Sequence, residues 1–433
     1  MLFVTSNSGY LFSSKSISYA LPTLTIFGTS KYLLYSEVFL LLALFKALNG
    51  RVVSQKYFFS NPLRILFGYM LFLCLVSFVY GVTMIKYLNF MREILPLSLF
   101  LFIPSILKTK QDYYRLFNLL ISLVYLLFLF QLFDLFTGSK IAFLFGETQI
   151  AVSNTYIYSG DIIDIEGEMN RIIYGTNILL LGFIGSLYFL LTKDPDTHFN
   201  KYYLYSIISI IVVSVIISGT RGWIIGVLFM LFIFIIILAK SNLKIIAGVL
   251  LPVIILFNIS VVNLQIDKSL QRLETVLSLI GGDLTAEGTL KRIDVRGVRV
   301  LNKYYESPLV GFGFSQIYHE YRDYHVGNHT LLLNGGIIGY TLFIYFGLYY
   351  VISLYKRNRT LSKSNSYKNS LIVFVLGFVG MFIIHSTSAS VYRFEVGFQA
   401  GVMLVIFFSF SDVIHKEATL EENIIENRKR TDL

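Results

Sequence analysis

Four groups of residues have the types and spacing to handle charge and protons. The first is Ser218-Gly219-Thr220-Arg221-Gly222-Trp223. An arginine there is a permanent cation with five donors, able to grip two phosphate oxygens at once. Gly219 and Gly222 let the backbone turn and a ligand approach. The second is Gly167-Glu168-Met169-Asn170-Arg171, followed by Gly175, Thr176 and Asn177. Arg171 stands at the entrance to an apolar run, as Arg221 does, and Asn177 lies about one turn inside that run. The third is the basic segment 291–301, KRIDVRGVRVL. Its Arg292, Arg296 and Arg299 follow i, i+4, i+7 spacing, which predicts an amphipathic helix with a cationic strip lying on a membrane surface. Of the three, Arg292 is the foremost candidate for touching a substrate. The fourth is Pro308-Leu309-Val310-Gly311-Phe312-Gly313-Phe314, leading through His319 and His325 to Gly327-Asn328-His329. An imidazole at the head of an apolar helix can take a proton from a hydroxyl near neutral pH. Just beyond it, Gly335, Gly336 and Gly339 predict close helix packing. Each group also has a plainer reading: an arginine on lipid headgroups, Trp223 in an interfacial belt, a histidine packed or solvated.

The elements that must position these residues are apolar helices. Of 433 residues, 55% are hydrophobic and only 14% charged, with 39 Phe and 30 Tyr. A soluble chain of this length carries many more charged residues. A bilayer span needs about 20 mostly apolar residues. Such runs occur at 32–48, 62–82, 87–107, 113–136, 172–192, 203–218, 223–239, 243–261, 330–353, 369–386 and 393–410, with a weak, Pro-interrupted one at 11–30. The prediction is an all-α polytopic membrane protein of about 11–12 transmembrane helices, one integral membrane domain over 1–433. Between two apolar blocks lies one large polar segment, 262–329.

Lys and Arg concentrate in alternate short connections: Arg51 and Lys56, Lys108 and Lys110, Lys193 and Lys201, Lys240 and Lys244, then Lys356 to Lys368. The positive-inside rule makes that side cytoplasmic and the 262–329 segment external. Residues 411–433 form the cytoplasmic tail, whose mixed charges from Lys416 onward predict a solvated, mobile end. The formal charge of +10 reflects this orientation and no nucleic-acid partner. The lone Cys74 excludes a disulfide framework. A P-loop and an Asp-x-Asp pair are both missing, and Glu37 and Glu93 are the clearest acidic residues in the spans, so metal chemistry and proton-coupled transport are disfavoured.

Taken in order, these motifs resemble the O-antigen polymerase and O-antigen ligase superfamily. The likeness rests on Arg171 with Gly175 and Asn177, on Ser218–Gly222, on Arg292, on Pro308–Gly313, and on a histidine before Gly336-Ile337-Ile338-Gly339. It spans about residues 165–340. The family pattern places its histidine about three helical turns before paired glycines. His325 has that distance to Gly336, whereas His329 has the better neighbours in Asn328 and Thr330-Leu331-Leu332, so both stay in play. The resemblance implies a multi-pass protein of the bacterial inner membrane with a periplasmic loop. It implies a polymerase of O-antigen or another surface polysaccharide, acting on polyprenyl-diphosphate-linked oligosaccharides. Arg171, Arg221 and Arg292, with Asn177 and Asn328, would bind substrate, and His329 or His325 would activate the acceptor hydroxyl. No cofactor or metal is implied. Membrane lipid is a partner, with a chain-length regulator and a flippase as further ones. A ligase acting on lipid A core is the alternative. A flippase or transporter is less favoured, since the polar groups gather in one loop and not at mid-membrane.

Overall fold

The computed structural model describes residues 23–26, 29–32, 42–43, 45–46, 60–82, 99–137, 175–197, 199–239, 254, 258–259, 262–264, 266–267, 269–270, 295–323, 326–387 and 398–431. Nearly all regular structure among them is helical. The exception is an antiparallel pair, β1 (Thr23–Ile26) and β2 (Thr29–Tyr32), with Ile26 opposite Thr29. It covers only the end of the weak run at 11–30, whose other residues lie outside the described ones. Thr-Leu-Thr-Ile alternates polar with apolar, which is the period of a strand.

The helices are α1 (Ser60–Val79), α2 (Leu99–Ile106), α3 (Lys110–Thr137), α4 (Thr176–Leu191), α5 (Lys201–Ile217), α6 (Arg221–Ala239), α7 (Val298–Tyr304), α8 (Gln316–Tyr321), α9 (Gly327–Thr360), α10 (Leu371–Thr387) and α11 (Phe398–Thr431). Two of them, α3 and α9, are long and apolar enough to cross a membrane, and shorter apolar helices of 10–17 residues accompany them.

Small residues set how the helices pack. A Cβ built on Gly185 would lie 2.4 Å from the Phe117 ring, and one on Gly182 2.8 Å from Val124. Helices α3 and α4 are therefore antiparallel and in close contact. Gly226 meets Ile384 while Met230 meets Gly380, so α6 and α10 also run antiparallel. Gly347 lies on Phe378 and Gly327 on His385, which fixes α9 against α10 in the same sense. Two ends result. At one lie the starts of α4, α6 and α9 and the finishes of α3, α5 and α10. At the other, Lys110 of α3, Asp194 after α4 and Tyr367 before α10 meet through direct hydrogen bonds. The core between them is a single aromatic-rich cluster that includes Tyr113, Phe117, Tyr188, Tyr350, Phe374 and Phe410.

Four expectations need correction. The chain from Lys416 onward is not wholly solvated: α11 continues unbroken to Thr431, and Ala418 and Glu422 are buried, while 426–431 is exposed. Its Glu, Lys, Ala and Leu residues are good helix formers, and Glu421 and Glu422 dock on the 361–370 connector. The 262–329 segment is not wholly a polar loop, because Val262, Ile266 and Ser269 are buried and its last three residues open α9. The acidic residues named for the apolar runs, Glu37 and Glu93, are not the whole set, since Asp134 and Asp412 are both buried in apolar helices, the latter paired with Lys416 at 2.6 Å. Finally, Gly336 does not serve helix packing; with φ 60° and ψ −168° it breaks α9.

Candidate functional site

The Ser218–Trp223 turn joins α5 to α6. Ser218 donates its hydroxyl to the Val215 carbonyl at 2.6 Å, and Gly219 takes the left-handed conformation, φ 59°. The Trp223 and Ile224 amides then donate to the Thr220 carbonyl at 3.0 and 3.1 Å, starting α6 with Arg221 in its first turn. Only Gly219 uses glycine's freedom, since Gly222 is already inside the helix. Trp223 is buried and is not a belt residue. From the large segment, Ser269 donates to the Ile216 carbonyl at 2.6 Å, tying that segment to the same turn.

The 298–323 stretch folds on a small core of its own: Val300, Tyr304, Phe312, Tyr318, Val326 and Leu333. Its Pro308–Gly313 turn inserts into the break of α9. The Ile337 and Ile338 amides donate to the Pro308 and Leu309 carbonyls, at 2.8 and 3.2 Å, and the Phe312 and Gly313 amides donate to the Leu333 and Asn334 carbonyls, both at 2.9 Å. Asn334 adds an Nδ2–H bond to the Gly313 carbonyl at 2.9 Å. The groups that a broken helix leaves open are thus satisfied by the turn. No side chain fits here: a Cβ on Gly336 would stand 2.3 Å from the Leu309 carbonyl carbon, and one on Gly311 2.4 Å from the Asn334 oxygen. A third anchor is Ser77 of α1, whose hydroxyl oxygen accepts from the Phe314 amide at 2.7 Å.

The start of α9 is held from two directions. Thr330 exchanges hydrogen bonds with the backbone of Asp323, and Arg296 stands 3.7 Å from the Asp323 carboxylate. Asn328 donates Nδ2–H to Ser386 of α10 at 3.0 Å. Beneath it, Gly327 packs on His385, where a Cβ would lie 2.4 Å from the His385 carbonyl oxygen. Asn328 Oδ1 and His329 Nδ1 are both buried, with no hydrogen-bond partner.

Among the predicted site residues, Arg221, Asn177, Asn328 and His329 all lie at the starts of α6, α4 and α9, at one end of the bundle. Asn177 is buried in the first turn of α4, after Gly175 with φ 57°. Arg171, Arg292 and His325 lie outside the described residues, as do Glu37 and Glu93. The expected cationic strip is not free. Arg299 bonds the Glu320 carbonyl and lies over the Tyr321 ring, while Arg296 faces Asp323, and only Val298–Tyr304 forms the helix. Ser77, Asn334, His385 and Ser386 were not legible as site residues, although Asn334-Gly335-Gly336 is a turn signal inside an apolar run. Among the described residues no three His, Cys, Asp or Glu side chains gather as a metal site would need. No family model matches the chain, and no curated protein matches it in sequence.

Proposed function

We propose that the chain is a polytopic inner-membrane glycosyltransferase that polymerises a surface polysaccharide. It joins polyprenyl-diphosphate-linked oligosaccharide repeat units at the periplasmic face. The observation that carries this reading is the placement of Arg221, Asn177 and the Asn328–His329 pair at helix starts on one end of an apolar bundle, with the Pro308–Gly313 turn threaded into the break of α9. A fixed cation and an imidazole at that end match a lipid-anchored anionic donor and a hydroxyl acceptor.

In this reading Arg221, assisted by Arg171 and Arg292, holds the donor diphosphate. As the sugar C1–O bond to phosphate breaks, its electron pair passes to the diphosphate, and the guanidinium groups stabilise the charge that develops. The acceptor hydroxyl oxygen forms the new bond to C1. His329, or His325, takes its proton. The bundle contributes by holding two lipid-linked substrates in one orientation. Membrane lipid surrounds the helices, and a flippase and a chain-length regulator are the protein partners this role calls for.

The test uses cells whose surface glycan is resolved by length. Arg221→Ala and His329→Ala should each lower long-chain polymer by about a hundredfold or more at normal protein abundance. Normal chain lengths in both variants would overturn the site. Deletion of the gene decides the class: a core capped by one repeat unit marks a polymerase, bare core marks a ligase, and unchanged glycan rejects both.

A further inference from the structure

The hydrogen-bond network at the start of α9 fixes which way one amide faces. Ser386 donates its hydroxyl proton to the Phe382 carbonyl at 2.8 Å, so toward Asn328 its oxygen acts as acceptor. Asn328 must then present its NH2 group to Ser386, at 3.0 Å, and turn Oδ1 away. That Oδ1 is buried with no partner, and so is Nδ1 of the next residue, His329. Buried acceptors left open are rare and call for an explanation. An anion does not supply one, because an amide oxygen cannot donate a hydrogen bond to it. A ligand with hydroxyl groups does, since each O–H can donate to one of the two atoms.

Resting on the glycosyltransferase reading above, we propose that Asn328 Oδ1 is a specificity-determining acceptor for a hydroxyl of the acceptor sugar, beside the hydroxyl that His329 Nδ1 deprotonates. The ligand chemistry is a pair of neighbouring sugar hydroxyls. Ser386 is a positioning residue: it touches no substrate and acts by holding the Asn328 amide in this orientation. The donor diphosphate has its own group in Arg221, so the two substrates are read by separate residues.

The full chain is purified, reconstituted in lipid nanodiscs and supplied with lipid-linked repeat units accumulated in the deletion strain. Two products are followed: polymer, and free glycan formed when water replaces the acceptor hydroxyl. Ser386→Ala and Asn328→Ala should each lower the ratio of polymer to free glycan by about tenfold, because acceptor capture fails while the diphosphate is still held. Ser386→Thr keeps a hydroxyl and should restore the ratio. An unchanged ratio in both alanine variants overturns the inference, and so does an equal loss of both products in Ser386→Ala, Ser386→Thr and Asn328→Ala, which marks a purely structural role. A wild-type chain that forms neither product sinks the glycosyltransferase reading itself, a result distinct from either of these.

Discussion

The two ends of the bundle treat their polar groups differently. At the Asp194 end most polar side chains satisfy one another, although Arg357 Nε and Nη2 are buried without a hydrogen-bond partner. The Asp194 carboxylate accepts from Lys110 at 2.9 and 3.1 Å, from Tyr114 at 2.7 Å, from Tyr367 at 2.9 Å and from the Asp196 amide at 3.1 Å. Burial pushes its pKa up, but the hydrogen bonds from Lys110, Tyr114, the Asp196 amide and Tyr367 outweigh that and hold it below its ordinary value. Nearby, Glu422 accepts from the Ser362 amide and Asn365, and Glu421 from the Ser366 amide and hydroxyl. At the Arg221 end, Gly219, Gly311, Gly313 and Gly336 all have positive φ, one helix is broken, and two buried acceptors stay open. An open buried acceptor costs about 1–3 kcal/mol, and glycine supplies the positive φ these turns need. In the proposed reading, one end holds the helices and the other receives the substrate.

Substitutions at both ends can break this contrast. The largest effect belongs to Gly336→Ala, which forces a side chain into a positive-φ position 2.3 Å from the Leu309 carbonyl carbon. It should cost about 3 kcal/mol or more, read as loss of detergent-stable protein; a normal melting temperature would show that the turn does not fill the break. Asp194→Ala comes next, at about 2–4 kcal/mol, because Lys110 is left with Asp196, at 2.8 Å, and the Tyr367 hydroxyl, at 3.0 Å, and the Tyr114 and Tyr367 hydroxyls lose an acceptor. The same carboxylate sets a pH dependence. Its folded pKa lies below the ordinary 3.8, so its contribution is complete above that value and is lost as pH falls through the folded one. The gap in melting temperature between wild type and Asp194→Ala should therefore hold from about pH 7 to pH 5 and close only as pH falls below 3.8 and through the lowered folded value. The smallest effect is expected at the receiving end. Asn328→Ala removes one hydrogen bond and one open acceptor together, so stability should change by less than about 1 kcal/mol. A loss as large as that of Asp194→Ala would erase the contrast between the ends.

Much of the helical layout was legible in the sequence. The runs at 113–136, 203–218 and 223–239 return as α3, α5 and α6 with ends shifted by a few residues, because long apolar runs carry their own signal. The turn at Gly219 and the paired turns at Gly311 and Gly313 were readable for the same local reason, glycine's access to positive φ. The strand pair at 23–32 was missed because a weak apolar average hid a two-residue alternation. The docking of α11 was missed because charge suggested solvent, whereas Glu421 and Glu422 find backbone amides on a connector some 55–60 residues earlier. Arg296 and Arg299 of the basic segment were read as part of a cationic strip, and their partners Asp323, Glu320 and Tyr321 come from beyond the helix that carries Arg299.

Sequence alone determined that the chain is apolar and helical, where its turns fall, and which side chains could carry charge or protons. Only the tertiary structure decided that Pro308–Gly313 fills the break at Gly336, that Ser386 orients Asn328, and that Arg221 and His329 share an end. The reason is physical. Helix formation and left-handed turns are governed by neighbours within about four residues. A hydrogen bond between groups 58 residues apart, as from Asn328 to Ser386, exists only once packing has brought them together.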